Sequence, residues 1–153
     1  MIAFDCIVDG IFVGTCPESR LDAERLSHKE ISAVFNLQSD ADLIARQIDW
    51  THMEQTYLEL GISPYRAPII DFDDADMTVL LPNAVRTLAE VIRNHSRVYV
   101  HCTAGQQRSP SAVIGYLAWH CGHDLEEAIT LVMSARKCAP PLHVIRALDE
   151  TRG

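Results

Sequence analysis

Residues 98–119 read VYVHCTAGQQRSPSAVIGYLAW, and the change of pattern inside this stretch decides the fold. Val98, Tyr99 and Val100 are β-branched or aromatic and predict a buried strand, which Arg97 to His101 bound. From Pro110 the apolar residues predict a helix running to Cys121-Gly122, where the glycine suits a helix end. Between strand and helix lies a short loop containing Gly105, with Cys102 at the strand end and Arg108 six residues later.

The same alternation extends outward in both directions. Upstream, Leu80, Leu81, Ala84, Val85, Leu88, Val91 and Ile92 recur at helical spacing behind the acidic turn Asp71 to Asp76. Before that turn a strand is predicted at Tyr65 to Ile70, a helix at Asp49 to Leu60 closed by Gly61, and a strand at Ala33 to Leu37. Ser19 to His28 reads as a helix, and Cys6 to Val8 with Ile11 to Val13 as a hairpin across Asp9-Gly10. Downstream, Asp124 with Glu127 predicts a capping-box-like helix start, and Pro140-Pro141 opens the last helix. Strands alternating with helices define an α/β class. A chain of 153 residues without linker composition or repeats is expected to form one domain over residues 1–153.

The chain carries 21 acidic against 13 basic residues, a formal charge of −8, so its field opposes nucleic acid and anionic membranes as partners. An anionic substrate must therefore be drawn by a local positive cluster. Five cysteines, odd in number and without a C-x-x-C pair, fit neither a disulfide scaffold nor a zinc ribbon and predict a reducing compartment. With no signal-peptide pattern and no apolar run of spanning length, a cytoplasmic protein is expected; a processed organellar protein reads the same.

The loop after the central strand is built for an anion. Five residues between Cys102 and Arg108 let Thr103, Ala104, Gly105, Gln106 and Gln107 curl so that successive N–H groups converge, while the next helix aims its free amides and dipole at the same point. These surroundings favour the thiolate of Cys102 as a nucleophile. Arg108 offers a planar fork for two phosphate oxygens, Ser109 can donate to the departing thiolate, and Gly105 permits the tight bend. With eleven arginines in the chain, the Cys-to-Arg spacing alone is weak; the strand before, the glycine within and the helix after make it specific. A leaving oxygen also needs a proton, for which Asp71, Asp73, Asp74 and Asp76 are candidates that spacing does not separate, some of them expected to cap the helix, Asp76 above all.

HCTAGQQRSP resembles the HC-x5-R-[ST] signature of protein tyrosine phosphatases in the compact dual-specificity class. Val13 to Pro17, Val34 to Leu43, Pro68 to Asp74, Cys102 to Gly105 and Ser134 to Pro141 resemble the glucan phosphatases within it, enzymes of phosphorylated starch or glycogen. The resemblance implies a central mixed sheet flanked by helices, a phosphocysteine intermediate and a phosphorylated glucan substrate. It favours Asp71 as the acid, ahead of Asp74, and allows Phe72 to serve as a sugar platform, against its reading as a core residue. It implies neither metal nor other cofactor. Two departures stand out: Gln107 where relatives carry Gly or Ser, and Ala45-Arg46 where plant glucan phosphatases carry large aromatics.

Other groupings read as structural. His120, Cys121 and His123 sit at a helix end without further ligands at metal spacing, and His101 is expected to order the loop. Trp50, Tyr57 and Trp119 are expected in the core rather than as sugar-stacking rings, and Arg66, Arg136 and Lys137 on the surface, with added positive potential around the pocket as the alternative. Two competing functions remain, a phosphatase of phosphotyrosine or phosphoserine/threonine in proteins and a non-catalytic phosphate-binding module; Gln107 is the hint for the latter.

Overall fold

A computed structural model describes residues 1–152. Among them run, in chain order, β1 (Phe4–Val8), β2 (Ile11–Gly14), α1 (Arg20–His28), β3 (Ala33–Asn36), α2 (Asp40–Ala45), α3 (Trp50–Glu59), β4 (Ser63–Arg66), α4 (Asp74–Asn94), β5 (Val98–His101), α5 (Arg108–His120), α6 (Leu125–Ala135) and α7 (Leu142–Arg152). The strands form one mixed sheet in the order β1-β2-β5-β3-β4, antiparallel only between β1 and β2. β5 is therefore central, and both its neighbours are parallel to it.

Strand alternation divides the core into two layers. Ile11, Val13, Ala33, Phe35, Val98 and Val100 face one cluster, which α4, α5, α6 and α7 cover. Phe12, Val34 and Tyr99 point the other way into a smaller cluster closed by α1 and α3. The β5 positions are essentially inaccessible on both faces, as expected of a parallel strand covered by helices on each side. Among the described residues no helix is long and apolar enough to cross a membrane.

Several elements differ from the sequence reading. The strand expected at 65–70 lies at Ser63–Arg66, because β4 is the sheet edge, where Pro64 can pair without needing its missing N–H inside the ladder. The helix α2 is added: Ser39 and Asp42 form a reciprocal capping box, but six residues are too few to show a period. α5 begins at Arg108, two residues before Pro110, which stands in the first turn where a missing donor costs nothing. At α6, Asp124 caps through the amide of Glu126, while Glu127 turns to His123 rather than completing a box.

Candidate active site

β5 ends at His101, so Cys102 is delivered at the carboxyl edge of the middle strand, the usual place for ligands in parallel sheets. From there every carbonyl to Gln107 is taken by a named donor. His101 Nδ1 donates to Cys102 O (2.9 Å), the Cys16 amide to Thr103 O (3.0 Å), and Arg136 Nη2 to Ala104 O (3.2 Å). Arg136 Nε donates to Gly105 O (2.8 Å), the Ala139 amide to Gln106 O (2.9 Å), and the Ser111 amide to Gln107 O (3.0 Å). In a trans peptide plane the next N–H points opposite to the carbonyl. Holding these carbonyls on the outside therefore turns the amides of residues 103–108 inward, and no described residue accepts from them. The first turn of α5 adds its dipole at the same end.

Arg108 stands at the floor of this cradle with 1% exposure. Its Nη1 donates to Asp42 Oδ2 (2.5 Å) and Ile69 O (2.8 Å), and its Nη2 lies 3.3 Å from Asp71 Oδ2. Nε is buried without a hydrogen-bond partner among the described residues. A buried orphan donor is costly unless a ligand meets it. Nε and Nη2 together form the fork edge on which a phosphate can sit, while Nη1 is already committed to orientation. Burial pushes the Asp42 carboxyl up, but the hydrogen bonds and charge of Arg108 and the Ser39 amide outweigh it and hold the group below its usual range.

Cys102 is buried, with its Sγ 3.2 Å from Ser109 Oγ. His101 is sealed behind the loop, and burial, aided by the Arg108 charge, lowers its ring to about 4. The neutral ring thus carries its proton on Nδ1 and spends it on the Cys102 carbonyl, in agreement with a loop-ordering role. A cleft of about 240 Å³ opens on this group, lined by Asp71, Phe72, Cys102, Ala104, Gln106, Gln107 and Arg108.

The four aspartates, inseparable by spacing, separate by geometry. Asp73, not Asp76, caps α4, accepting from the Asp76 amide (2.9 Å). Asp76 reaches back to the Ile70 amide (2.8 Å), and Asp74 pairs with His143 (2.7 Å). Asp71 is left facing Arg108 and the cleft. Phe72 is not a core residue: it is 80% exposed at the mouth, on a backbone with φ +56° that side chains other than glycine seldom adopt. Gln107 lines the cleft, and its φ of −124° lies outside the left-handed region.

Sequence reading missed two groups. Asp42 orients Arg108, and its signal was the Ser39-x-x-Asp42 spacing. Arg136, expected on the surface, is 8% exposed and bonded to the loop; Arg66 is likewise largely buried, donating to Gln38 O (3.0 Å) and Asp40 (2.7 Å). Lys137 does lie exposed; Tyr57 is buried in the core as expected, whereas Trp50 and Trp119 are only partly buried against it.

Comparison with known proteins agrees with this geometry. Residues 11–152 match the family model "Dual specificity phosphatase, catalytic domain". "Phosphoglucan phosphatase DSP4, amyloplastic" of Castanea sativa is 35% identical over 150 residues, covering 95% of this chain and 40% of that protein. "Phosphoglucan phosphatase LSF1, chloroplastic" of Arabidopsis thaliana is 31% identical over 134 residues, covering 88% of this chain and 23% of that protein. The chain thus spans well under half the length of either relative. The crystal structure of Tk-PTP in the active form superposes with a TM-score of 0.77 at 22% identity, covering 96% of both chains, which bears on the fold alone. A family match running from the second strand to the last helix, around a loop that turns its amides toward a thiol, establishes that this chain belongs to the dual specificity phosphatase catalytic-domain family.

Proposed function

We propose that this phosphatase hydrolyses phosphomonoesters of a phosphorylated glucan or related sugar polymer through a phosphocysteine intermediate. The observation that carries the reading is the inward set of loop amides over Cys102, completed by the unpaired Arg108 Nε. A phosphate entering the cleft takes Nε and Nη2 of Arg108 and displaces Asp71 from Nη2. The Cys102 thiolate attacks phosphorus as the bond to the leaving oxygen breaks, and Asp71 gives that oxygen its proton. The loop amides and Arg108 stabilise charge on the three equatorial oxygens throughout. In the second step Asp71 takes a proton from water, the water oxygen bonds to phosphorus, and the sulfur–phosphorus bond breaks. The Ser109 hydroxyl donates to the departing thiolate.

The sugar assignment draws on the phosphoglucan phosphatases of similar sequence and on Phe72, whose exposed ring at the cleft mouth suits stacking on a pyranose face. Phosphate release from phosphorylated amylopectin, glycogen, phosphopeptides and a small aryl phosphate, with Cys102→Ser as control, tests it. Phosphorylated glucans are expected to be the best of the polymeric substrates, with Cys102→Ser inactive on all. Phosphopeptides turned over far faster than glucans would reject the sugar assignment, and no turnover of any substrate would leave a phosphate-binding module.

A further inference from the structure

Arg136 lies outside the cleft, yet its guanidinium is spent on the loop that forms it. Nε and Nη2 hold the Gly105 and Ala104 carbonyls, and Nη1 meets Asp5 Oδ2 on β1 at 2.9 Å. The residues that follow continue the grip: the Ala139 amide takes Gln106 O, and Gln106 Nε2 returns a bond to Lys137 O (3.2 Å). Three consecutive loop carbonyls are thus held by the short segment 136–139 between α6 and α7. Burying a guanidinium is costly unless its donors are met, and here the carbonyls and one carboxylate meet them.

Gly105 is the weak point that this grip secures. Its φ is +66°, and a Cβ there would lie 2.7 Å from Arg136 Nη2 and 2.7 Å from Gly14 O. A glycine flanked by freely rotating peptide planes can turn a carbonyl inward at little cost. That would replace an inward amide by a partial negative charge facing the phosphate.

We propose that Arg136, braced by Asp5, is a positioning residue for phosphate transfer: it holds the Ala104 and Gly105 carbonyls out of the cradle so that the next two amides point in. The inference rests on the phosphate-site reading above. A purely structural strut between α6 and β1 would affect stability alone.

The test compares the wild type with Arg136→Gln, Arg136→Lys and Asp5→Asn, measuring aryl phosphate turnover, inhibition by orthovanadate and thermal midpoint. Turnover and inhibition are read well below each midpoint. Arg136→Gln is expected to lose kcat on the order of 100-fold and to weaken orthovanadate inhibition by about tenfold or more, since loop amides act chiefly on the transition state. Arg136→Lys recovers part of both, because one ammonium reaches one carbonyl but not two. Asp5→Asn, which leaves the guanidinium in place, loses about threefold to tenfold. A folded Arg136→Gln with wild-type turnover and inhibition, whatever its thermal midpoint, overturns the proposal. If that variant does not fold, Asp5→Asn decides, and unchanged turnover and inhibition there overturn it equally. A wild type that neither turns over nor responds to orthovanadate removes the phosphate-site reading itself and the proposal with it.

Discussion

Arg108 holds two carboxylates before any phosphate arrives, and they serve different ends. Asp42 binds the nitrogen that faces away from the cleft, whereas Asp71 touches the one that faces it. Asp71→Ala is expected to slow esters with poor leaving groups by about 100-fold or more and aryl phosphates with good leaving groups far less. Equal losses for both would move the acid role to another residue. Asp42→Asn keeps the shape but removes the charge that fixes the guanidinium, so kcat/KM is expected to fall about tenfold to 100-fold with the fold retained, checked by steady-state kinetics beside circular dichroism. The four aspartates show where residue-level reading stops: composition placed them all in one turn, but which caps, which pairs and which faces the cleft is fixed by the directions of side chains in three dimensions.

At the scale of elements, the unit from β5 through the loop into α5 was legible because its signals are local. A β-branched and aromatic strand, a glycine and a helix start follow each other within a few residues. What was hidden is contributed from afar. α2 is too short to show a period, and β4 carries a proline that an edge strand tolerates. Arg136 reaches the loop across more than thirty residues of sequence, so a charged side chain near two prolines read as surface. The capping box of α2 yields a prediction at this scale. Ser39→Ala removes the hydroxyl bonded to the Asp42 amide and to its carboxylate, and is expected to cost about 1 kcal/mol of stability and to lower kcat/KM, because Asp42 loses a support. Denaturant unfolding and steady-state kinetics check both halves; a stability loss with intact kinetics would show that α2 does not carry the Arg108 brace.

For the whole molecule, a net charge of −8 coexists with a site designed for an anion, which is possible because the positive groups are amide dipoles, a helix terminus and one buried guanidinium. Burying His101 beneath that site couples it to global stability. The unfolded ring titrates near its usual 6.5 and the folded ring near about 4, so between these values unfolding takes up a proton. Stability therefore falls as pH drops through that window, by roughly 3 kcal/mol from this group. Denaturant unfolding from pH 7 to pH 4 is expected to be steeper in pH for the wild type than for His101→Asn; parallel curves would mean that the ring charges in the folded state.

The central claim is a covalent phosphoenzyme at Cys102. Acid quench of Asp71→Ala during turnover of an aryl phosphate tests it most directly, because a good leaving group keeps the first step fast while loss of the base slows the second. Mass analysis of the digested protein is predicted to find a phosphoryl group on the peptide carrying Cys102, and none when Cys102→Ser is combined with it. Sustained phosphate release with no adduct on that peptide, and with Cys102→Ser still active, would contradict the account.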